Sequence, residues 1–425
     1  MGPAEQSAGP FCVITLTSHF PASHGELSSH VELSSHVELS SHFQLTSHFP
    51  LLTSYFTRIS LVKVVVVGAG VIGCAVAWEL ASRGASVEVV DPRAIGAGAT
   101  HASAGMLAPY SEGHHAALLT LGLASLSRYD GFVARLRHES GLAFEYERIG
   151  TLQVAMGADE AARLKAQARN YESTGVAGEW LDGDLLRVVA PSLAAGATAA
   201  LLLPMQGYVD AAGMTRALAA AAQHRGVHFT TERVLAIETS GGSVRVTTPE
   251  DPIDGDALVI AAGSWSSAIA GVSAWPQPVK PIRGQLLHLR APSRIASHVL
   301  WGSSCYIVPW HNGTTIVGAT VEDAGFDERP TAHGVRHLLN AAHDLVPALE
   351  SATFEGVRVG LRPKTPDELP IIGPSSTMRR VFHATGHYRN GILLTPLTAD
   401  LVADLVLAQR EHSELALTRP ERFGL

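Results

Sequence analysis

Residues 61–91 read LVKVVVVGAGVIGCAVAWELASRGASVEVVD, and this stretch decides the fold. The β-branched run over 61–67 is long enough for one fully buried strand, which is typical of a parallel sheet. A helix is predicted over 74–83, because its small alanines can pack closely on a sheet and the glycine after it can end it. Residues 87–91 predict a second strand. Together these segments predict one strand–helix–strand unit of a parallel α/β sheet.

The same stretch places three glycines, Gly68, Gly70 and Gly73, between the predicted strand and the predicted helix. Gly68 permits a tight turn, Gly70 lets the backbone approach a pyrophosphate, and Gly73 lets the helix pack closely on the strand. The free N–H groups of a helix N-terminus attract phosphate, and Asp91 can accept hydrogen bonds from a ribose. The pattern predicts a dinucleotide site and leaves NAD, NADP and FAD open as its ligand.

The composition favours a large folded protein. Of the 425 residues, 46% are hydrophobic and 16% are charged, which is enough apolar material for a sizeable buried core. The 365 residues that follow the first 60 suggest two domains, at roughly 150 residues per domain. The net charge of −8 argues against nucleic acid as the main partner. The three cysteines, Cys12, Cys74 and Cys305, are far apart in sequence. They indicate neither a disulfide framework nor a zinc site, and they fit a reducing compartment.

The first 60 residues differ from the rest of the chain. A degenerate repeat over 18–50 places a histidine every six residues, in versions of Ser-Ser-His-Val-Glu-Leu. One interpretation is a histidine-rich metal-binding segment, and the other, which we favour, is a disordered low-complexity extension without a metal site. The segment lacks the features of a signal or transit peptide. Residues 61–80 approach the apolar length of a membrane span, but Lys63 and Glu79 favour a strand and a helix instead.

A second segment of small residues, GAGATHASAGMLAP, occupies 96–109. Because it follows the predicted ribose-binding acid so closely, it suggests a loop that lies against a large flat ring. Only backbone and small side chains allow so close an approach. A flexible surface loop is the alternative interpretation.

Arg362 stands in the segment GLRPKTPDELPIIG, residues 360–373. We expect it in a turn set by the flanking glycine and proline. A guanidinium that is held rigidly can clamp a planar carboxylate through two parallel hydrogen bonds. The alternative is a structural ion pair with Asp367 or Glu368.

The segment ATGHYRNGILLTP, residues 384–396, is a polar loop that leads into the last strong helix. Thr395 is the predicted N-cap, Pro396 the first helical residue, and the helix is predicted to run to about Gln409. The N-terminus of such a helix stabilises negative charge. Three histidines are interpreted as hydrogen-bonded structural residues rather than bases: His101, His383 and His387.

The rest of the chain alternates predicted helices and strands. Helices are expected over 116–140, 158–174 and 216–225. Strands are expected over 150–155, 226–230, 234–239, 243–248 and 257–262. Short runs of alternating apolar and polar residues over 276–325 predict an antiparallel sheet.

These motifs together resemble one known family. The segment GHYRNGILLTP at 386–396 is similar to the signature of the glycine oxidases of thiamine biosynthesis, within the flavoprotein family of D-amino-acid oxidase and sarcosine oxidase. The resemblance covers about residues 62–410. Further matching segments stand in the family's order: AGMLAP at 104–109, GTL at 150–152, CYIVP at 305–309, VGAT at 317–320 and GLRP at 360–363.

The resemblance implies an α/β fold. A Rossmann-like FAD-binding domain would be interleaved with a second, α+β substrate domain that has a mainly antiparallel sheet. In this division, 1–60 is the disordered extension, the FAD-binding domain is built from 61–140, 205–270 and 352–425, and the substrate domain is built from 141–204 and 271–351.

FAD is the cofactor that the resemblance implies. Relatives that attach flavin covalently use a cysteine late in the chain, and this sequence has none after Cys305, so non-covalent binding is expected. The phosphates, the ribose, the flavin ring and its pyrimidine end would each be held by a separate segment. The implied cofactor-binding residues are Gly68, Gly70, Val71, Ile72, Gly73, Asp91, Pro92, Ala99, Thr100, Ala104, Gly105, Met106, Val234, His387, Tyr388, Arg389, Asn390, Gly391, Ile392 and Leu393.

The implied reaction is the oxidative deamination of glycine, and it extends to sarcosine and small D-amino acids. A hydride would pass from the substrate Cα to flavin N5, O2 would be reduced to peroxide, and the imine would give glyoxylate or enter thiazole synthesis. Arg362 would hold the substrate carboxylate, Arg389 would lie nearby and Tyr306 would close the site. The amine would react in its neutral form, so no protein base is required.

The sequence departs from the family at Ser304, Trp310 and Val321, which bears on substrate preference rather than on reaction type. The alternatives are a dehydrogenase that passes electrons to an acceptor other than O2, a tRNA-modifying flavin domain, and a non-catalytic flavin-binding protein. The expected partners are a small amino acid, O2, thiazole synthase and a second copy of the chain in a homo-oligomer. We expect a cytoplasmic protein that binds neither nucleic acid nor membrane.

Overall fold

The computed structural model describes residues 62–112, 116–270 and 278–425, which form one compact unit. The predicted disordered extension over 1–60 lies outside the described residues. The strands are β1 (Lys63–Val67), β2 (Ser86–Val90), β3 (Met106–Leu107), β4 (Tyr146–Glu147), β5 (Thr151–Met156), β6 (Glu179–Asp182), β7 (Ala197–Leu203), β8 (Gly207–Val209), β9 (His228–Thr230), β10 (Ala236–Ser240), β11 (Ser243–Thr247), β12 (Ile253–Gly255), β13 (Ala257–Ile260), β14 (Lys280–Arg290), β15 (Val299–Trp301), β16 (Tyr306–Pro309), β17 (Thr314–Gly318), β18 (Thr353–Lys364), β19 (Ile371–Pro374) and β20 (Val381–Thr385). The α-helices are α1 (Val71–Ser82), α2 (Pro109–Glu112), α3 (Ala116–Leu126), α4 (Tyr129–Ser140), α5 (Ala158–Ser173), α6 (Gly183–Val189), α7 (Ala211–His224), α8 (Ala332–Leu345) and α9 (Gly391–Ala403).

The predicted strand–helix–strand unit is the centre of a 6-stranded sheet with the order β19-β20-β13-β1-β2-β9. All neighbouring strands in it are parallel except β19 and β20. The β-branched run of β1 lies between β13 and β2 because its side chains are apolar on both faces, as a central parallel strand requires.

Both faces of this sheet are covered. Val64 and Val66 of β1 face a layer that includes α1, α7 and α9, whereas Val65 and Val67 face the small sheet of β10, β11 and β12. Burial on both sides fixes β1 in the middle layer, so the turn that follows it opens at the carboxyl edge of the sheet.

The turn between β1 and α1 depends on Gly73. A Cβ atom at this position would lie 1.8 Å from the carbonyl oxygen of Gly68. Gly68 has a φ of +112°, which side-chain-bearing residues rarely adopt. The two glycines therefore allow the helix to start directly against the end of the strand.

The second large sheet has 8 strands in the order β18-β14-β17-β16-β15-β5-β7-β6, and all its neighbouring strands are antiparallel except β15 and β5. One face carries a separate hydrophobic core shared with α6 and α8. The predicted fold class, α/β with a second and mainly antiparallel sheet, is confirmed. Strand β18 belongs to this sheet although it follows the predicted boundary at 352, and the division into domains stays a prediction.

The last helix begins at Gly391, so the predicted N-cap at Thr395 is wrong. The Thr395 hydroxyl instead donates to the Gly391 carbonyl at 2.8 Å, within the first turn. Pro396 lies inside the helix and has no N–H to donate to the Ile392 carbonyl. The Tyr129 hydroxyl donates to that carbonyl in its place, which explains why the proline is tolerated.

Two other predicted helices have different bounds. The helix predicted over 116–140 is divided into α3 and α4, and Arg128 at the junction donates to the Ala124 carbonyl. The helix predicted from 216 begins at Ala211, because Asp210 caps it by accepting a hydrogen bond of 2.9 Å from the Gly213 N–H.

Helix α9 continues directly into a π-helical turn, Asp404–Ala408. Among the described residues, the combined segment Gly391–Ala408 is the one helix that is long and apolar enough to cross a membrane. Of this segment, 72% is buried inside the protein, where α9 packs against α1 and α3. Its apolar composition is what a core helix needs, so the helix is weak evidence for a membrane span.

Candidate functional site

A cavity of about 700 Å³ lies between the carboxyl edge of the parallel sheet and one face of the antiparallel sheet. Most of the residues singled out from the sequence line it. They are Gly68, Gly70, Val71, Ile72, Asp91, Pro92, Ala99, Thr100, Ala104, Met106, Val234, Tyr306, Arg362, His387, Tyr388, Arg389, Gly391 and Ile392.

Four of the predicted residues are absent from this lining: Gly73, Gly105, Asn390 and Leu393. Gly73 packs α1 on β1. A Cβ atom at Gly105 would lie 1.7 Å from the Val209 carbonyl oxygen, so this glycine serves the pairing of β3 with β8. Leu393 is buried in the core of the helical layer, and the Asn390 carbonyl accepts a hydrogen bond from the Leu394 N–H within α9.

The N-terminus of α1 faces the cavity without a side-chain cap. Its N-cap residue is Gly70, and its first turn holds no acidic residue. The Val71 N–H donates to the Thr100 hydroxyl at 3.1 Å, which ties the helix start to the small-residue loop. Uncapped N–H groups and a helix dipole that point into a cavity are what a pyrophosphate needs.

Asp91 at the end of β2 is held by two backbone groups. Its carboxylate accepts hydrogen bonds of 2.8 Å from the Ala69 N–H and of 2.8 Å from the Arg93 N–H, one to each oxygen. Each oxygen keeps a second lone pair, so the carboxylate can still accept from a ribose diol at the cavity wall.

The small-residue loop over 96–109 lies along the cavity rather than out in solvent. The Gly96 N–H donates to the Ala69 carbonyl at 2.8 Å. From the other side, a Cβ atom at Gly360 of β18 would lie 2.9 Å from the Ala102 Cβ. The loop therefore packs against β18 through small residues.

The start of α9 forms another wall of the cavity. Its N-cap residue, Asn390, makes no side-chain cap, and Gly391 and Ile392 line the cavity. The Tyr388 N–H donates to the Pro363 carbonyl at 2.9 Å, which joins this loop to β18 beside Arg362. Because the helix begins at Gly391, its positive end is part of the cavity wall.

The three histidines singled out from the sequence, the buried His383 and His387 and the exposed His101, all have lowered pKa values. Burial lowers the pKa of His387 to about 3, and its Nε2 lies 3.0 Å from the Thr398 hydroxyl. Burial also lowers the pKa of His383 to about 4. The pKa of His101 is lowered as well, first by burial and then by the charge of Arg358. The lowered pKa values fit the interpretation that these histidines are not bases. His387 is hydrogen-bonded as predicted. The prediction of a hydrogen-bonded His383 is wrong, because neither of its buried ring nitrogens has a hydrogen-bond partner among the described residues.

Arg362 lies in strand β18, so the predicted turn is wrong. In the register with β14 it is opposite Ile282, and Pro363 is tolerated because β18 is an edge strand. Its Nη1 donates to the Thr320 carbonyl at 2.9 Å. A Cβ atom at Gly284 would lie 2.3 Å from the Arg362 Cζ, so the guanidinium rests directly on that glycine.

The alternative interpretation of Arg362, an ion pair with Asp367 or Glu368, is also wrong. Asp367 pairs with Arg422 at 2.8 Å, and Glu368 pairs with Lys364 at 2.7 Å. No carboxylate pairs with Arg362 among the residues that the structure describes, so its charge is available to a ligand in the cavity.

Tyr306 and Arg389 line the cavity on two different walls. Tyr306 is in β16, and its ring lies over Gly318, where a Cβ atom would be 2.3 Å from the Tyr306 hydroxyl oxygen. The ring also stacks on Trp301 with centroids 5.6 Å apart. Arg389 is exposed, and its Cζ lies 5.3 Å from the ring centre of Tyr388.

Several lining residues were missed from the sequence. Trp301 precedes the recognised CYIVP segment and reaches the cavity only because β15 pairs with β16. Arg93 also lines the cavity; its Cζ lies 4.0 Å from the ring centre of Trp265, and it pairs with Glu328 at 3.2 Å. No local sequence pattern indicates that Arg93, Trp265 and Glu328 come together, because they are far apart in the chain.

The cavity fits FAD. It offers two helix N-termini without a cap from their N-cap residues, a carboxylate at the end of β2, and one wall formed by the small-residue loop. No group of histidine, cysteine and acidic residues that could hold a metal ion occurs within the described ranges. The two described cysteines, Cys74 and Cys305, are buried and free.

Comparisons with known proteins identify the family. A family described as FAD dependent oxidoreductase (DAO) matches residues 63–405. A glycine oxidase of Geobacillus kaustophilus (strain HTA426) is 34% identical over 357 residues, which cover 83% of this chain and 95% of that protein. A bifunctional ThiO/ThiG protein of Nostoc sp. is 37% identical over 362 residues, which cover 83% of this chain and 54% of that protein. The chain thus spans about half the length of the bifunctional relatives that it matches.

Solved structures give the same result. The crystal structure of glycine oxidase from Geobacillus kaustophilus matches with a TM-score of 0.80 and 33% identity, covering 84% of this chain and 99% of that one. The crystal structure of iminodiacetate oxidase from Chelativorans sp. BNC1 matches with a TM-score of 0.78 and 26% identity, covering 84% of this chain and 98% of that one. The chain belongs to the DAO family of FAD-dependent oxidoreductases, and FAD is its cofactor.

Proposed function

We propose that this chain oxidises glycine, with sarcosine and small D-amino acids as further candidate substrates. The observation that carries the proposal is the guanidinium of Arg362. It borders a cavity that fits FAD, and among the described residues its recorded hydrogen bonds go to backbone carbonyls. A relative named glycine oxidase, 34% identical over 95% of its own length, supports glycine as the first substrate to test.

Arg362 would bind the carboxylate of the amino acid. A guanidinium offers two parallel N–H donors to a carboxylate, so it sets the orientation of the bound molecule as well as its position. The stacked aromatic rings of Tyr306 and Trp301 border the same cavity. Positioning of this kind can lower the activation free energy of the reaction by several kcal/mol.

Bound FAD would supply a two-electron acceptor. The uncapped start of α1 would hold its pyrophosphate, and Asp91 its ribose. The start of α9 would face the pyrimidine end of the flavin ring, where a helix N-terminus stabilises negative charge. The remaining predicted cofactor contacts, from Ala99 to Met106 and at Val234, stay part of this proposal.

The amine would react in its neutral form, without a protein base. Both carboxylates that line the cavity already have partners. Asp91 accepts two backbone N–H groups, and Glu328 pairs with Arg93. His387 is neutral and faces Thr398. Arg389 stays a predicted site residue on the loop before α9.

The substrate would lose a hydride from Cα and a proton from its nitrogen, which leaves an imine. Hydrolysis of the imine gives glyoxylate and ammonia, and O2 takes up two electrons and two protons to give H2O2. Relatives that carry both the ThiO and the ThiG name support thiazole synthase as a partner that uses the imine. We further propose a homo-oligomer in the cytoplasm, and the buried free thiols fit a reducing compartment.

The experiment is to purify the full chain with its flavin and to measure H2O2 with glycine, sarcosine, D-alanine and D-proline. We expect peroxide with glycine, together with glyoxylate. If glycine bleaches the flavin absorbance without peroxide, the electron acceptor is not O2. A flavin-loaded protein that none of the four amino acids bleaches would contradict the proposed function.

A further inference from the structure

Two arginines stand next to each other in the register of the long strand pair β14 and β18. Arg362 is opposite Ile282, and the neighbouring Arg283 is opposite Leu361. Gly284 lies under the Arg362 guanidinium. Because alternate residues of a strand face opposite sides of a sheet, Arg283 points away from the face that carries Arg362 and Gly284. One guanidinium therefore borders the cavity and the other lies behind it.

The Arg283 guanidinium, behind the sheet, pairs with two carboxylates. The Glu322 Oε2 accepts hydrogen bonds from the Arg283 Nε at 3.1 Å and from its Nη2 at 2.5 Å. Asp327 adds a second ion pair to Arg283 at 3.3 Å. Arg283 is only 7% exposed, so its charge needs such partners.

Glu322 also holds the segment that passes around the end of β14. Its Oε1 accepts from the Gln285 Nε2 at 2.6 Å and from the Thr320 hydroxyl at 2.5 Å. The Gln285 N–H donates to the same Thr320 hydroxyl at 2.9 Å. Backbone hydrogen bonds of 2.9 and 3.0 Å join Arg283 and Glu322 in both directions. The carboxylate thus binds three side chains, while the backbone of the same residue pairs with Arg283.

This network ends at Arg362. The carbonyl of Thr320 accepts from the Arg362 Nη1 at 2.9 Å, and the carbonyl of Arg283 lies 3.5 Å from the same atom. Both carbonyls belong to residues whose side chains are bound by Glu322. The carbonyls next to the Arg362 guanidinium are therefore connected, through their own side chains, to a carboxylate on the opposite face of the sheet.

We propose that Glu322 is a positioning residue for substrate binding: through Thr320 and Arg283 it holds the Arg362 guanidinium in place, while it neutralises Arg283. The inference rests on the proposed function, because it assigns the substrate carboxylate to Arg362. It adds a residue that does not line the cavity and makes no direct contact with Arg362.

The negative charge of Glu322 is needed, and not only its shape. Burial acts to raise the pKa of this carboxyl, but the hydrogen bonds from Thr320, Gln285 and Arg283 outweigh it and hold the pKa below its usual value. A glutamine has one acceptor oxygen and one donor group at its end. In either orientation its NH2 would face Gln285 or the Arg283 guanidinium, which are donors themselves.

The test compares Glu322→Gln with Asp323→Asn in the full flavin-loaded protein. Asp323 is the next residue along the segment, and its ion pair with Lys280 is exposed, with side-chain exposures of 64% and 70%. The probe is acetate, a carboxylate without an amine, which is titrated through the change that it causes in flavin absorbance. We expect Glu322→Gln to weaken acetate binding and raise the half-saturating glycine concentration about tenfold. Asp323→Asn should stay within about twofold.

A double-mutant cycle separates positioning from a general loss of structure. In an Arg362→Lys background, Glu322→Gln should add little further loss of acetate affinity, because the group that it positions is gone. Unchanged acetate affinity in Glu322→Gln, or a loss that adds in full to that of Arg362→Lys, would overturn the inference. If Glu322→Gln does not fold, Thr320→Val is used for the same test. We expect Thr320→Val to lower acetate affinity about threefold, and to have no such effect in the Arg362→Lys background.

The outcomes separate this inference from the proposed function. Wild-type protein that binds acetate through Arg362 but does not oxidise glycine would contradict the proposed function alone. Glycine oxidation that Arg362→Lys impairs and Glu322→Gln leaves unchanged would contradict the inference alone. Acetate affinity that Arg362→Lys leaves unchanged would contradict both.

Discussion

The two large sheets present different chemistry to the cavity between them. At the parallel sheet the contacts are mostly backbone: the uncapped N-terminus of α1 and small residues that admit a flat group. At the antiparallel sheet the decisive contact is one side chain, Arg362, which is supported by the carbonyl of Thr320. The first region binds by the shape of its main chain, and the second by the placement of one charge.

Different substitutions would therefore damage the two regions. The turn between β1 and α1, which we call the backbone cradle, tolerates many side chains, but no added atom fits where helix and strand touch, as at Gly73. A guanidinium needs neighbours that hold it and leave its charge unpaired. Arg283 shows the other case on the opposite face, since Glu322 and Asp327 both pair with it.

The largest expected effect comes from breaking the backbone cradle with Gly73→Ala. The added Cβ would lie 1.8 Å from the Gly68 carbonyl oxygen, so α1 must move away from β1. We expect a loss of about 3 kcal/mol in the free energy of unfolding, and loss of bound FAD. Denaturant unfolding and flavin absorbance measure the two effects.

The matched control for that change is Gly131→Ala in α4. Apart from its chain neighbours and the backbone of its own helix, no atom of the described residues lies within 4 Å of a Cβ at this position, so the added methyl group meets open space. Replacing a helical glycine should stabilise the protein by up to about 1 kcal/mol. Equal behaviour of the two variants would show that close contact at Gly73 is not what maintains the cradle.

Gly284→Ala should disturb the Arg362 site at the antiparallel sheet and leave the backbone site at the parallel sheet intact. The new methyl group would lie 2.3 Å from the Arg362 Cζ and displace the guanidinium. We expect normal FAD content with an increase of about a hundredfold in the half-saturating glycine concentration. Steady-state kinetics on protein with matched flavin content measures this. Loss of FAD together with glycine affinity would show that the two regions do not act separately.

The pH dependence of stability tests whether a histidine of the parallel sheet is buried in its neutral form. Burial lowers the pKa of His383 in β20 to about 4, below its value in the unfolded chain. The unfolded state then binds more protons between about pH 6.5 and pH 4, so stability is lost as the pH falls through this window. Between pH 8 and pH 5 the free energy of unfolding should fall by about 2 kcal/mol less in His383→Leu than in the wild type.

Thermal or denaturant unfolding at both pH values measures that change. His387 stays in the variant, and its own pKa of about 3 leaves a residual slope in the same direction. Wild type and His383→Leu with the same pH dependence would show that His383 is not buried as a neutral side chain.

The smallest effect is expected at the edge of the cavity, from Glu328→Gln. Its ion pair with Arg93 is partly exposed, with side-chain exposures of 37% and 32%, so solvent and salt screen it. Because the substitution removes a negative charge from a cavity that would hold the FAD phosphates, we expect FAD to bind about threefold more tightly at low salt and equally well in 1 M salt. Fluorescence titration of the flavin-free chain with FAD measures this, and a change that persists in high salt would contradict the electrostatic explanation.

The backbone region was easier to predict from sequence than the charged one. The strand, the glycine pattern and Asp91 lie within one continuous stretch, and each acts through local geometry. Arg362 could be identified as a carboxylate clamp, but not placed, because its strand depends on pairing with β14. Trp301 and Glu322 gave no signal for the same reason: their neighbours are set by the register of distant strands.

Local patterns also failed where a distant contact decides the outcome. Thr395 and Pro396 have the pattern of a helix start, yet α9 begins at Gly391 because the Tyr129 hydroxyl replaces the N–H that the proline lacks. Tyr129 is in another helix. Nothing in the sequence near α9 reports that contact.

The most direct test of the account is the anaerobic reduction of the bound flavin by glycine, in wild type and in Arg362→Gln. The account predicts that glycine bleaches the flavin absorbance of the wild type. Arg362→Gln should keep its FAD and need at least about a hundredfold more glycine for half-maximal bleaching. Half-maximal bleaching of both proteins at the same glycine concentration would contradict the claim that this guanidinium binds the substrate.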